Sequence, residues 1–304
     1  MKEIIPISIQ GRFFGFRQRA AMGALILANA CAAAWVSYSP RGYPIGYGVI
    51  GALAVAAGVA STWLLSRVPE RTRRVSPIGL TSRPKLNWND LKRVYSEPLR
   101  NSKFVRFLIC AATMNGAIAL AGPYFPYYFT KELGIPMDRI SIWIILNCMG
   151  SFLASPFWGK KLDRSGDPRK LLFVSGLLIA FSPLPYVFRS AEVIRAIAPI
   201  EYFTNGIAWS GFTLGMNALL FRITPRGQNR VYFSLYSAAI GVSGAAFALL
   251  GGVLAPALGA WGGFRALWVV ASLVRGSVVI FLFRSFLPTG GMLERIRTDG
   301  GRIS

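Results

Sequence analysis

The chain has 304 residues, is 53% hydrophobic and only 15% charged, and carries a formal net charge of +22. Soluble domains run nearer a quarter charged, and the apolar residues here come in blocks of about 20, the length a helix needs to cross a bilayer, rather than the short runs of buried strands. The basic residues lie in the gaps between blocks, which excludes nucleic-acid binding as the main role and fits orientation by positive charge and attraction to anionic lipid.

Residues 1–19 are a basic lead-in with Lys2, Arg12, Arg17 and Arg19. The first apolar block covers 20–38. Small residues near Ala32 to Ala34 permit a signal-peptide reading, but the many spans that follow favour an uncleaved helix. Ser39 to Pro44 reads as a short turn, and the second block covers 47–66. The polar stretch 67–103 then carries about ten Lys or Arg. Trp88, Leu91, Val94, Tyr95 and Leu99 recur at roughly helical spacing, so this part is either an amphipathic helix lying on the membrane or a basic linker. Further blocks cover 104–129, 140–158, 171–188, 197–221, 232–254 and 264–283, which makes eight spans and an all-α polytopic membrane protein. The tail from Arg284 is basic.

About 27 of the 34 basic residues fall on one side of this alternation, in the lead-in, 67–106, 159–170, 222–230 and the tail. That side is expected to be cytoplasmic, with both termini on it. The short loops fit a plasma (inner) membrane. Cys31, Cys110 and Cys148 all lie within apolar blocks, without metal-ligand spacing, and read as packing residues. There is no histidine, so the commonest general base and metal ligand is missing. No metal site and no cofactor are expected. Gly11 to Arg17 and Asn229 to Leu235 resemble each other at a separation of about 218 residues. Each puts arginine and aromatics at the start of a span rich in Ala and Gly, a pattern of parallel repeats that many transporters share.

The loop Gly159-Lys160-Lys161-Leu162-Asp163-Arg164-Ser165-Gly166 resembles the Gly-x-x-x-Asp-Arg-x-Gly signature of the major facilitator superfamily, continued by Asp167-Pro168-Arg169. The segment from Gly11 to Gly15 resembles that family's loop between helices four and five, and the stretch from Asn217 to Arg230 its loop before helix eleven. The resemblance implies an MFS-like helical bundle in which the eight spans correspond to helices five to twelve of twelve, an N-terminally truncated member. It divides the chain into 1–66, the last two helices of the N-terminal half; 67–103, the central loop; 104–284, the complete C-terminal half; and 285–304, a tail. It also implies a gating motif of Gly159, Asp163, Arg164, Gly166 and Arg169, whose charged pairs latch the cytoplasmic side. The physics of the loop admits two readings. Asp163 can accept from the N–H groups at the start of a neighbouring helix and Arg164 and Arg169 can pair across bundles, or the loop is a turn oriented by its positive charge.

Polar groups inside spans usually face a cavity or another helix. Asn115, Tyr124, Asn147, Glu201, Asn205, Asn217 and Arg275 are therefore the candidates for contact with substrate or a coupling ion. Pro123 and Pro126 are expected to break or bend the third span, and Tyr127 and Tyr128 read as an interfacial belt. The asparagines also suit helix packing. Glu201 is either a proton-coupling group or a structural one, and Arg275 pairs with Glu201, binds an anionic substrate or is structural. Gly241/Ala245 and Gly244/Ala248 have the spacing of close helix contact. Three functions remain open: a gradient-driven secondary transporter of a small solute by alternating access, with a proton as candidate coupling ion; a truncated remnant that is inert or depends on a second chain; and a membrane-embedded enzyme, for which the residues offer the least.

Overall fold

A backbone inside lipid must satisfy its own hydrogen bonds, and a helix does so within one segment. The computed structural model describes residues 9–38, 42–67, 88–187, 190–225, 228–259 and 262–285, and among them there is no strand. The helices are α1 Gln10–Tyr38, α2 Gly42–Ser66, α3 Trp88–Arg100, α4 Ser102–Ala121, α5 Tyr124–Lys131, α6 Met137–Ser165, α7 Pro168–Phe181, α8 Ala191–Ile223, α9 Asn229–Ala257 and α10 Phe264–Ser285. Four stretches are long and apolar enough to cross a membrane on length and composition: α4 with α5, α6, α9 and α10. α2 contains a shorter apolar run, Gly48–Leu64. α1 and α8 are long enough, but α1 carries Arg12, Arg17 and Arg19 and α8 carries Glu192, Arg195 and Glu201. α7 has only 14 residues.

The packing runs from neighbour to neighbour. α1 lies along α6, α6 along α8, α8 against α7, α7 against α10, and α10 against α4, which pairs with α9. α3 touches α4 and α9, and α2 rests on α1. The amphipathic part of 67–103 is thus helical from Trp88, while 68–87 lies outside the described residues. Asn101 closes the step from α3 to α4, its carboxamide oxygen accepting from the backbone N–H of Lys103 and Phe104, a role typical of an N-cap.

Backbone-to-backbone approach at glycine holds the longest contacts. A Cβ on Gly11 would strike the carbonyl of Gly159, and one on Gly159 would lie 2.5 Å from the carbonyl of Gly11. One turn along, a Cβ on Gly15 would lie 2.7 Å from the carbonyl of Ser155. α1 and α6 therefore cross through small residues at i and i+4 on both sides, the close-packing pattern of membrane helices. α6 and α8 cross in the same way, where Gly150 meets the carbonyl of Phe203 and Gly206 that of Asn147.

Several sequence expectations need correction. The third span breaks between α4 and α5 at Gly122-Pro123, whereas Pro126 is absorbed in the first turn of α5, where a missing N–H costs no helical hydrogen bond. The block 171–188 is helical only to Phe181. Pro183 and Pro185 cannot continue the ladder, and the chain makes a 3-10 turn at Leu184–Tyr186 instead; Phe188 lies outside the described residues. Tyr127 is 53% exposed, as a belt residue would be, but Tyr128 is 1% exposed and its hydroxyl accepts from Arg265 Nε at 2.9 Å. Of the small pairs in α9, Gly244 packs on the Asn115 side chain, while Gly241 faces open space and Ala245 is exposed.

These contacts set the sign of a glycine substitution. Alanine favours a helix over glycine by about 1 kcal/mol, but overpacking against a fixed neighbour costs about 1–3 kcal/mol. Gly206→Ala should lower the thermal midpoint of the purified protein, and Gly241→Ala should leave it unchanged or raise it, as read by tryptophan fluorescence on heating.

Candidate functional site

The basic end of the bundle is organised by the link between α6 and α7. Gly166 caps α6 with φ +59°, a left-handed conformation that glycine adopts without strain, and its N–H donates to the carbonyl of Leu162 at 2.9 Å. Asp167 then caps α7, accepting from the N–H of Arg169 at 3.0 Å, with Pro168 in the first helical position. Two residues suffice to reverse the chain.

Asp163 lies one turn before that reversal and faces α1. Its Oδ1 accepts from the backbone N–H of Gly11 at 2.6 Å and its Oδ2 from that of Arg12 at 2.9 Å. These are first-turn N–H groups of α1, which have no partner inside the helix, and the helix dipole favours a carboxylate there. The Arg12 guanidinium is 3.8 Å from Oδ2, but its side chain is 65% exposed against 6% for Asp163. A pair so wet on one side contributes little, so the two backbone hydrogen bonds dominate. The arginines of the motif differ in what they do. Arg169 turns back on its own loop, with Nε 2.7 Å from Asp167 Oδ1 and Nη2 2.5 Å from Oδ2. Arg164 is exposed, and no hydrogen bond or ion pair of it is seen among the described residues. Arg222 at the end of α8 donates to the carbonyl of Gly166. Burial works to raise the Asp167 carboxyl, but the hydrogen bonds and charge of Arg169, with the charge of Arg222 behind them, outweigh it and hold that carboxyl below its ordinary value.

Beneath this end Phe14, Trp158, Leu162, Leu171, Leu214, Ala218 and Phe221 form one apolar cluster joining α1, α6, α7 and α8. Phe14 and Phe221 have ring centroids 5.3 Å apart, and Phe221 and Phe233 4.8 Å. This end therefore carries a capped helix start above a cluster of tilted aromatic rings.

Farther in, α4, α8 and α9 surround a cavity of about 110 Å³. Two of the sequence candidates meet there, Asn115 and Asn217, with Trp209, Thr213 and Tyr236, while Met114, Phe212 and Met216 supply apolar wall. Asn115 Nδ2 donates to the carbonyl of Ile240 at 2.8 Å, so what Asn115 offers a solute is its oxygen. No charged side chain lines this space. Trp209, Thr213 and Tyr236 escaped the sequence reading because aromatic and hydroxyl residues are common in spans; the spacing of Trp209, Thr213 and Asn217 at i, i+4 and i+8 is the signal that finds them.

The other candidates lie elsewhere. Asn147 Nδ2 donates to the carbonyl of Tyr202 at 3.1 Å and serves the α6–α8 crossing. Asn205 is on α8 with a buried carboxamide oxygen that has no partner among the described residues. The Tyr124 hydroxyl donates to the carbonyl of Ala248 at 2.6 Å and borders an open groove of about 560 Å³ at the other end of the bundle. The Glu201–Arg275 pair is not formed: Tyr186 donates to Glu201 Oε2 at 2.5 Å, whereas Arg275 reaches the carbonyls of Ile179 and Ala117. Tyr186 sits in the 3-10 turn that the prolines impose, outside the helical pattern from which a partner of Glu201 could be read.

The model of the Major Facilitator Superfamily matches residues 107–295, most of the chain. The chain belongs to the major facilitator superfamily. A second model, MFS/sugar transport protein, matches residues 9–200. The family is one of membrane transporters rather than enzymes. The chain is 27% identical over 187 residues to the Multidrug resistance protein MdtG of Escherichia coli O81 (strain ED1a), covering 58% of this chain and 40% of that one. The same values hold for MdtG of Escherichia coli O7:K1 (strain IAI39 / ExPEC). The crystal structure of a bacterial homologue of the iron transporter ferroportin in an outward-facing state superposes with a TM-score of 0.63 at 17% identity, over 92% of this chain and 66% of that chain, a likeness of fold. The chain thus spans about two fifths of the curated relatives and 66% of the solved neighbour.

Loss of the Asp163 cap has a local signature. A lost cap costs about 1 kcal/mol, which corresponds to faster amide exchange by about fivefold to tenfold. In Asp163→Ala the amides of Gly11 and Arg12 should speed up to that extent in hydrogen exchange read by mass spectrometry, while Asp167→Asn leaves them unchanged.

Proposed function

We propose that this protein moves a small organic solute across the membrane by alternating access, driven by a gradient. The observation that carries the reading is the cavity where α4, α8 and α9 meet, inside a bundle of this family. Its chemistry is two carboxamides, two hydroxyls and three aromatic rings set in apolar wall. That suits an uncharged or weakly polar solute with an aromatic or sugar-like face, held by a few hydrogen bonds and stacking. The relatives named for multidrug resistance and the match to the MFS/sugar model support the same broad class. In this reading 1–66 belongs to one moving body and 104–284 to the other, with 67–103 between them and 285–304 as a tail.

The basic end faces the cytoplasm of a plasma (inner) membrane, because Lys and Arg near span ends stay on that side. Asp163 on the first turn of α1 is then the cytoplasmic latch, supported by the depth of its burial and by the glycine crossing below it. The outward-facing neighbour agrees with a state closed on this side. The latch is checked by labelling: with a single cysteine introduced by Ala218→Cys and the three native cysteines replaced, a cytoplasmic maleimide should react severalfold faster when Asp163 is changed to Ala. Equal rates in both backgrounds would remove the latch from the mechanism.

Transport itself is tested with purified protein in vesicles under an imposed proton gradient, using a radiolabelled panel of hexoses and aromatic drugs. Uptake of at least one member is expected, and Trp209→Ala should raise its KM about tenfold, the loss of roughly 1.4 kcal/mol of contact. If no member of either class is moved, the reading fails. Glu201 is the proposed proton-coupling group, since its one hydrogen-bond donor is neutral Tyr186. Glu201→Gln should leave downhill movement intact and abolish accumulation driven by the proton gradient.

A further inference from the structure

α10 carries Trp268, Ser272 and Arg275 at i, i+4 and i+7, which places them on one face of the helix. They are 0%, 4% and 4% exposed. Trp268 Nε1, Ser272 Oγ and Arg275 Nε have no hydrogen-bond partner among the described residues. The other Arg275 nitrogens reach only neutral backbone, Nη1 to the carbonyl of Ile179 at 3.4 Å and Nη2 to that of Ala117 at 3.2 Å. The first is long for a hydrogen bond and the second lies at the upper end of the ordinary range. Asp163 and Asp167 are paired with Arg12 and Arg169, and Glu201 is engaged by Tyr186. No carboxylate among the described residues therefore balances the Arg275 charge.

Two requirements follow. Tryptophan and arginine nitrogens only donate, so what is missing is an acceptor. A guanidinium does not shed its proton, and an unbalanced ion in the interior costs several kcal/mol, so the acceptor must also be negative. Water meets the first requirement and not the second. Ser272 and Arg275 are neighbours at i and i+3 on this face, about 5–6 Å apart at Cβ, so a single ligand between them would meet both unpartnered atoms. We propose that Arg275 and Ser272 hold a buried monovalent anion of halide size, a structural ion that ties α10 to α4 and α7. The Trp268 donor, one turn towards the start of α10, extends the same stripe. None of the three side chains lines the cavity between α4, α8 and α9, so the site does not depend on the transport reading.

The test uses bromide, which scatters anomalously. Crystals of the intact protein grown in bromide should show an anomalous peak between Arg275 Nε and Ser272 Oγ. In solution at fixed pH and ionic strength, replacing chloride by gluconate, too large for the site, should lower the thermal midpoint by several degrees. Arg275→Met should remove that difference. The proposal is overturned if the native crystals show no peak there, or if Arg275→Met responds to the exchange as the native protein does. Should Arg275→Met not fold, the bromide peak in the native protein decides alone.

Discussion

Two glycines set how closely α1 and α6 approach, and the basic end of the molecule depends on that distance. With the carbonyl of Gly11 against Gly159, the two backbones meet with no side chain between them. Only then does the short side chain of Asp163, one turn farther along α6, reach the first N–H groups of α1. A longer acid at the same position would overshoot, and a wider crossing would leave the carboxylate in water and the helix end unsatisfied. The spacing of four residues from Gly159 to Asp163 in the signature thus has a mechanical reason: it stacks the glycine that permits approach and the carboxylate that uses it on one face of α6.

The same economy explains why α6 and α7 are joined by so little chain. Gly166 in the left-handed region ends one helix and Asp167 starts the next, and Arg169 and Arg222 then hold the loop from inside. Asp167 and Arg169 are spent on the loop's own geometry, whereas Asp163 reaches across to α1 and Arg164 is left exposed. A motif that looks in sequence like one cluster of ions divides in space into a rigid bracket and a single outward contact.

The helices were legible because apolar block length and charge alternation are imposed by the bilayer itself, and each block is α-helical over most of its length. The helix ends were less so. Phe181 is where α7 stops because Pro183 and Pro185 follow, and a hydropathy pattern continues through prolines without registering them. Of the site residues, Asn115 and Asn217 stood out because asparagine is costly in lipid wherever it lies, but the same argument also selected Asn147, whose cost is met by the carbonyl of Tyr202. Polarity marks that a partner exists; only the fold tells whether the partner is a neighbouring helix or an open space. The partners of Glu201 and Arg275 went unread for a related reason. Opposite charges in two spans suggest each other, yet Tyr186 reaches Glu201 from a turn, and the hydroxyl of a tyrosine leaves no mark in a charge pattern.

The contrast between those two buried ions bears on what the interior can do. Glu201 is met by a neutral donor, so it can exist with or without its proton, and in either state the Tyr186 contact adapts: the hydroxyl donates to a carboxylate and can accept from a carboxylic acid. Arg275 has no such freedom, because a guanidinium stays charged across the physiological range. One is met by a side-chain hydroxyl and the other by backbone carbonyls. They also lie apart from the uncharged cavity between α4, α8 and α9. The uncharged cavity, the carboxylate with its neutral partner and the buried guanidinium therefore occupy three separate places in the bundle. The Arg275 charge lies where α4 and α7 each pack on α10, whereas α1 lies along α6 through the glycine crossing and the Asp163 cap.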